Sequence, residues 1–335
     1  MTKLIRKFKG GSLSSTSLMQ DKNNHFFVRK TVSLIENREY GYQRWYSQLK
    51  RLQRYSVLFP ELFPKILKFG QEEKIAYFDI EYFKEAVNAQ EYIQNANSNE
   101  VDDFFESLQK TLNKLHFYKI HSNVDSIELY IHEEVEQRLN DCRKNQRFMN
   151  FLEYDEIVFN GNKVKPFMKA IDEYKQMFFQ FYTNTIETFT HGNITLENLL
   201  YMPKNKRVIL IDPYEENIID SVLCEYSQLL QSSNAKYEMY NERVAIITAN
   251  SIALELPSSP GMNYFNDKLV NYLKKSFSND DYMIIRLMEI SQFIRMLPFK
   301  MEIDEDKMLF FYGLASYLFS ELKKEYNLSF QGSLK

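Results

Sequence analysis

Residues 190–213, THGNITLENLLYMPKNKRVILIDP, decide how this chain is interpreted. The HGN triplet at 191–193 is followed, five residues after its last member, by Asn198. A polar turn then separates one apolar run from a second, strand-like run that ends in Asp212. Two short strands joined by such a turn bring Asn198 and Asp212 together at one end of a hairpin. A carboxamide and a carboxylate in one cleft are hard oxygen ligands that suit Mg²⁺ carrying a nucleoside triphosphate.

This layout resembles the catalytic and metal-binding loops of the kinase-like phosphotransferases, in particular the aminoglycoside phosphotransferase and choline kinase family. That family carries His-Gly-Asp, four residues, Asn, and then a hairpin ending in Ile-Asp-Pro. The sequence matches this pattern position for position, except that Asn193 stands where the family has its catalytic aspartate. The resemblance implies an α+β, bilobal protein-kinase-like fold with a small β-rich N-terminal lobe and a large helical C-terminal lobe.

The resemblance also implies roles in phosphoryl transfer. Asn193, His191 and Asp212 occupy the catalytic positions, and His191 is the residue that braces the loop. Asn198 and Asp212 are the implied Mg²⁺ ligands. Since phosphoryl transfer depends on alignment and on neutralising negative charge, Mg²⁺ with ATP or GTP is the implied cofactor.

Asn193 bears on whether the chain is active. A carboxamide does not titrate near neutral pH, so it cannot accept the proton of an acceptor hydroxyl. Loss of a positioned general base typically costs roughly 10²–10⁴-fold in rate. Three explanations stay open: a natural pseudokinase, a deliberately inactivated variant of an active kinase, or an enzyme that uses asparagine to orient the acceptor. Glu215 and Glu216 are alternative bases in the same region.

Residues in the N-terminal part resemble those that bind the nucleotide. Gly10, Gly11 and Ser12 lie between two strand-like segments, where glycine lets backbone N–H groups approach phosphate oxygens. The alternative for this glycine pair is a plain hairpin turn. Lys30 ends a strand-like run that starts at His25, and it resembles the lysine that contacts the phosphates. The alternative for Lys30 is a strand-end lysine in solvent.

A helical pattern is predicted from Val32 to Arg54. Within it Glu39 resembles the helix glutamate that pairs with the phosphate-binding lysine. Two strands over 65–69 and 74–83 lead to Glu81 and Phe83 at the implied hinge, where backbone groups would bind the adenine. The predicted domains are therefore a nucleotide-binding lobe at 1–84 and a helical lobe at 85–335, which carries the catalytic and metal loops and the acceptor site.

Apolar periodicity beyond residue 84 predicts a second lobe built of helices. They are expected near 104–115, 126–144, 222–231, 241–254, 281–297 and 304–325. A small hairpin is predicted around the Asn160-Gly161-Asn162 turn.

Composition narrows the possible partners and compartment. The 335 residues carry a formal net charge of −3, which favours neither nucleic acid nor a membrane surface. Cys142 and Cys224 are the only cysteines and lack His or Cys neighbours at metal-ligand spacing, which argues against a disulfide framework or a zinc site. The N-terminus has no signal-peptide core, and no apolar run reaches the roughly 18 residues of a membrane span. We therefore expect a cytoplasmic protein.

The leading hypothesis is an ATP- or GTP-dependent phosphotransferase that acts on a hydroxyl of a small molecule, such as a sugar or a capsule-related precursor. One alternative is a nucleotide-binding pseudokinase that regulates a partner. Another is a kinase-like fold used for nucleotidyl transfer. An aspartate at position 193 in the natural gene would favour the first, and release of AMP rather than ADP would favour the last.

Overall fold

The computed structural model describes residues 2–8, 14–35, 38–121, 126–182, 186–214 and 217–332, with the side chains of 38–40, 120–121 and 327–332 left out. The chain forms two compact units. The first comprises Met1–Tyr92, Asp102–Leu115 and His191–Asn217, and the second comprises Ile93–Val101, His116–Thr190 and Ile218–Lys335. These units are assembled from several chain segments, and the boundary at residue 84 stays a prediction.

The strands of the described residues are β1 Lys3–Lys7, β2 Ser14–Gln20, β3 Phe26–Ser33, β4 Ile66–Gln71, β5 Ile75–Glu81, β6 Val87–Asn88, β7 Lys119–His121, β8 Ile157–Phe159, β9 Asn162–Val164, β10 Ile186–Thr188, β11 Leu199–Met202, β12 Arg207–Leu210, β13 Ile246–Thr248 and β14 Ser251–Ala253. The α-helices are α1 Arg38–Leu58, α2 Ala89–Asn95, α3 Ser98–Leu115, α4 Ser126–Ile131, α5 Arg138–Cys142, α6 Gln146–Leu152, α7 Ile171–Phe181, α8 Val222–Ser233, α9 Tyr237–Asn241, α10 Pro260–Ser276, α11 Asn279–Ile303 and α12 Glu305–Gly332.

The first unit is built on a five-stranded antiparallel sheet in the order β1-β2-β3-β5-β4. Helix α1 packs on this sheet through one face, and the ring centre of Trp45 lies 5.9 Å from that of Phe78 on β5. Leu49 and Leu52 of the same helix are buried as well. The helix predicted from Val32 was placed too early, because Val32 pairs with Ala76 in the sheet and the strand continues to Ser33.

The predicted hairpin after the HGN triplet is confirmed. Strands β11 and β12 are antiparallel, with Leu199 opposite Leu210. A short 3₁₀ turn at Pro203–Asn205 connects them, and Lys206 closes it in the left-handed region with φ 47°. Strand β6 pairs with the other edge of β11, so the hairpin becomes part of a three-stranded sheet.

The second unit is largely helical. The predicted helices near 222–231, 281–297 and 304–325 are confirmed and correspond to α8, α11 and α12. The predicted helix at 126–144 is confirmed too, and its middle, His132–Gln137, is a π-helical turn between α4 and α5.

The expectation of an entirely helical second lobe was wrong. Residues 241–254, predicted as a helix, contain the end of α9 followed by the hairpin β13–β14. Strand β14 pairs in parallel with β8, which forms the predicted hairpin with β9, and together they make a four-stranded sheet. Ile252 is fully buried, and a Cβ added to Gly313 of α12 would lie 2.5 Å from its side chain. This close packing of Ile252 against α12 favours a strand at this position over the helix that the local sequence pattern predicts for 241–254.

Candidate active site

His191 is fully buried in the first unit and braces the loop that contains it. Its Nε2 lies 2.7 Å from the carbonyl oxygen of Ile211, which can only accept a hydrogen bond. Its Nδ1 accepts a hydrogen bond from the backbone N–H of Asn193 at 3.3 Å. These partners fit the neutral ring with its proton on Nε2. The histidine therefore connects the loop at 191–198 to the residue directly before Asp212.

Asn198 fixes the other end of the loop. Its Nδ2 donates to the carbonyl oxygen of Asn193 at 2.8 Å and to the hydroxyl of Thr195 at 3.2 Å. Its backbone carbonyl accepts from the backbone N–H of Ile211 at 3.0 Å. Both amide hydrogens of Asn198 are therefore used within the loop, which leaves its Oδ1 as a hydrogen-bond acceptor or possible metal ligand.

Asp212 and Lys30 meet in the structure. The Nζ of Lys30 lies 2.9 Å from Oδ2 of Asp212, and their side chains are 11% and 34% exposed. Asp212 has φ 56°, in the left-handed region that aspartate tolerates better than most residues. The ion pair joins a lysine in the middle of the sheet to the aspartate at the end of the hairpin.

Gly192 allows the loop at 191–198 and the segment after Asp212 to pack closely. Its φ is 81°, and an added Cβ would lie 2.2 Å from the carbonyl oxygen of Tyr214 and 2.5 Å from Nη1 of Arg51. The backbone N–H of Tyr214 donates to the carbonyl oxygen of His191 at 2.9 Å, and Nδ2 of Asn217 donates to that of Gly192 at 3.0 Å. Glycine is required here for both its backbone conformation and its lack of a side chain.

The structure describes the remaining sequence-predicted site residues only in part. Gly10, Gly11 and Ser12, together with the alternative bases Glu215 and Glu216, lie outside the described residues. Glu39 is in the first turn of α1, but its side chain is outside the description.

Glu81 and Phe83 lie where β5 ends. The backbone N–H of Glu81 donates to the carbonyl oxygen of Lys65 at 3.0 Å. The guanidinium of Arg207, on β12, lies 5.8 Å from the ring centre of Phe83. Glu81 is the last residue of β5, and Phe83 lies two residues beyond it.

Sequence reasoning missed three residues that support the loop. Phe63 stacks on the His191 ring at 6.2 Å with an interplanar angle of 9°. Tyr55 of α1 packs edge-on against Phe63 at 5.0 Å, and the guanidinium of Arg51, one turn earlier, lies 5.2 Å from the Tyr55 ring centre. All three are almost completely buried. An arginine within the helical pattern of α1 is the signal that the sequence offers, but the loop around Gly192 that it lies against is far away in the chain.

The oxygen donors of this site suit a magnesium ion that also binds phosphate. Within the described ranges, no group of three or more His, Cys, Asp or Glu side chains is arranged to hold a metal ion. Mg²⁺ commonly takes one or two protein oxygens and completes its coordination with substrate phosphates and water. Asp212 and Asn198 fit that pattern.

Comparison with solved structures identifies the fold. A putative fructosamine-3-kinase from Haemophilus somnus 129PT matches with a TM-score of 0.53 and 9% identity, over 95% of this chain and 92% of that one. The fold is kinase-like. It has an antiparallel N-terminal sheet followed by a largely helical C-terminal region.

Two further structures match less closely. A choline kinase from Cryptosporidium parvum Iowa II has a TM-score of 0.47 at 12% identity, over 99% of this chain and 91% of that one. An aminoglycoside-3'-phosphotransferase of type VIII has a TM-score of 0.45 at 11% identity, over 86% of this chain and 93% of that one. No protein-family model matches the chain, and no curated protein matches its sequence.

Proposed function

We propose that this chain is a phosphotransferase that uses Mg²⁺ with ATP or GTP, in the cytoplasm, to phosphorylate a hydroxyl of a small molecule such as a sugar or a capsule-related precursor. The observation that carries the proposal is the 2.9 Å ion pair between Lys30 and Asp212. Phosphoryl transfer needs a cation for the phosphate oxygens and a carboxylate for the metal at one place. The fold shared with a protein named as a putative fructosamine-3-kinase supports a small-molecule acceptor.

Each residue of the loop has a distinct part in this proposal. Asp212 and the Oδ1 of Asn198 would hold Mg²⁺, which when bound neutralises charge on the nucleotide phosphates. Lys30 would exchange its contact with Asp212 for phosphate oxygens. His191, through the Ile211 carbonyl, holds the backbone next to Asp212 in place. The nucleotide would lie against Gly10, Gly11, Ser12, Glu39, Glu81 and Phe83.

Asn193 would orient the acceptor. The hydrogen bonds of Asn193 within the described residues use its main-chain N–H and carbonyl, so its side chain is available to a substrate. A carboxamide can accept a hydrogen bond from a hydroxyl but cannot take its proton near neutral pH. The acceptor would therefore be aligned by this residue without being deprotonated by it.

The alternative function is a nucleotide-binding pseudokinase with a regulatory or partner-binding role. The observation that favours it is the same carboxamide at position 193, in a loop that is otherwise well ordered by hydrogen bonds. Nucleotide binding is common to both functions, whereas product formation belongs only to the first.

Thermal unfolding with and without Mg²⁺-nucleotide tests the shared step. At a free ligand concentration of about one hundred times its Kd, the nucleotide is expected to stabilise the chain by about 2.7 kcal/mol. Asp212→Ala is expected to abolish the part of this stabilisation that depends on Mg²⁺, because it removes the carboxylate ligand.

The matched control is Asp103→Ala. Asp103 also pairs with a lysine, at 2.6 Å from Lys206, but on the exposed surface of the same unit. This variant should keep the full Mg²⁺-dependent shift. No shift of the unmodified chain with either ATP or GTP would overturn the proposal, as would an equal loss in both variants.

A further inference from the structure

A polar cleft in the second unit is lined by none of the residues that were assigned a role in the proposed phosphotransfer. Its volume is about 350 Å³, within the ~300–1,000 Å³ typical of small-molecule sites. It is lined by residues at the end of α8, along α10, in the first turns of α11 and near the end of α12. All of them belong to the second unit, whereas Lys30, Asn193, Asn198 and Asp212 belong to the first.

Arg286 lines the cleft and belongs to a buried ion pair with Glu289. Arg286 is 9% exposed and Glu289 is 1% exposed. The Nε of Arg286 lies 2.9 Å from Glu289, and its Nη1 lies 3.1 Å from Glu325 and 3.0 Å from the hydroxyl of Tyr282. Because buried charges are costly unless they are paired, these contacts hold the guanidinium in one position.

The ion pair and its surroundings also orient two amides. Nδ2 of Asn234 donates to Glu289 at 2.7 Å, which orients its Oδ1 as the free acceptor. Oδ1 of Asn266 accepts from the hydroxyl of Ser233 at 2.9 Å, which leaves its Nδ2 as a donor. Both amides line the cleft. The cleft therefore offers an oriented acceptor and an oriented donor from neutral side chains.

The cations of the cleft already have carboxylate partners, and the lining contains a further carboxylate, that of Asp267. Lys274 lies 2.7 Å from Glu325, so both cations in the lining, Lys274 and Arg286, have carboxylate partners. A phosphate or carboxylate ligand would have to compete with these partners. Hydroxyl groups, which both donate and accept, match the available amides without disturbing the ion pairs.

We propose that this cleft binds a neutral polyhydroxylated small molecule, of the chemical class of sugars and polyols. The proposal does not rest on the phosphotransferase activity, since it concerns residues of the second unit alone.

Saturation-transfer NMR on the purified full chain, without nucleotide, tests the proposal. The probes are methyl β-glucoside and myo-inositol, with glucose 6-phosphate and glucuronate as charged comparators. The neutral probes are expected to receive saturation at millimolar concentration, and the charged ones less. Asn266→Leu and Asn271→Leu, both in the lining, are expected to weaken binding several-fold.

The control is Asn263→Leu, the same change at an exposed position of the same helix outside the lining. It should bind as the unmodified chain does. Asn271 is exposed, so its variant remains informative if Asn266→Leu fails to fold. The proposal is overturned if neither neutral probe binds, if a charged probe binds more tightly, or if Asn271→Leu binds as tightly as the control.

Discussion

The main chain of Asn193 is fixed on both sides by neighbouring residues. Its N–H donates to Nδ1 of His191 and its carbonyl accepts from Nδ2 of Asn198. A carboxylate has nearly the same shape as a carboxamide, so exchanging one for the other should leave this loop in place. The residue can therefore be changed to test chemistry separately from structure.

Asn193→Asp is expected to raise phosphotransfer by about 10²–10⁴-fold, because it would supply a base at the acceptor hydroxyl. Nucleotide affinity should change by no more than a few-fold. Turnover would be measured as ADP released with a panel of sugars, amino alcohols and nucleotide sugars, and affinity by calorimetry.

Asn205→Asp is the same change at an exposed turn residue of the hairpin. It should alter neither the rate of phosphotransfer nor the affinity for nucleotide. Rapid turnover by the chain with Asn193 in place would show that the base is elsewhere, and Glu215 and Glu216 would be tested next. Intact nucleotide binding with no turnover in either variant would favour the pseudokinase.

Gly192 and Gly161 provide a matched pair of substitutions. Both have φ 81°, but an added Cβ at Gly161 meets no atom within 4 Å, whereas at Gly192 it would lie 2.2 Å from the carbonyl oxygen of Tyr214. Gly161→Ala should lower the free energy of unfolding by about 1–2 kcal/mol through its backbone conformation. Gly192→Ala should cost about 2 kcal/mol more, because the loop must move. Equal losses in urea unfolding would show that the close approach at Gly192 is not needed.

Strand β3 carries two adjacent cations on opposite faces of the sheet. Arg29 makes a two-pronged contact with Asp79, at 2.7 and 2.8 Å, and its guanidinium lies 4.2 Å from the ring centre of Tyr77. Asp79 is only 4% exposed. Lys30, the next residue, pairs with the half-exposed Asp212. The first pair therefore stabilises the sheet, and the second is proposed to serve the nucleotide.

Arg29→Met should lower the free energy of unfolding by about 3 kcal/mol, because it leaves the buried Asp79 without its partner. Lys30→Met should cost about 1 kcal/mol or less, since Asp212 remains hydrated. In contrast, Lys30→Met should remove most of the nucleotide-induced thermal shift, and Arg29→Met should keep it. The two variants control for each other, and the reverse pattern would contradict the assignment of Lys30.

Elements with local signals were predicted well, and elements decided by distant partners were not. The hairpin from Leu199 to Leu210 was predictable because its strands and turn are adjacent in sequence. The start of α1 and the β13–β14 hairpin were not predictable in this way. Val32 and Ile252 are held in strands by pairing with residues far away in the chain. The support of His191 by Phe63 is likewise a long-range contact that periodicity does not reveal.

On the scale of the whole molecule, the loop that contains His191 and Asn198 belongs to the same compact unit as the N-terminal sheet. The backbone N–H of Leu210 donates to the carbonyl oxygen of Leu62 at 2.8 Å. The side chains of Arg207 and Lys114 each contact Glu61. A linear division of the sequence does not anticipate this grouping. None of the described helices is both long and apolar enough to span a bilayer.

The two cysteines lie in the second unit and can report on the integrity of the chain. Cys142 and Cys224 are both free and buried. Burial raises the pKa of each thiol to about 12, compared with an ordinary value of 9.0. At pH 8 the fraction present as reactive thiolate is therefore roughly a thousandfold smaller than for an exposed cysteine.

At pH 8 the native chain is accordingly expected to react with a thiol reagent only as fast as the second unit opens and exposes the two thiols. The same chain in denaturant, without reductant, should show two reactive thiols at once. Raising the pH to 9 should speed labelling of the unfolded chain directly, because more thiolate forms there. Where opening limits the rate, labelling of the native chain should not rise with pH, since the thiols of the closed chain still titrate far above this range. Fast labelling of the native chain would contradict the buried positions of both cysteines. The absence of reactive thiols in denaturant would mean that the two cysteines form a disulfide.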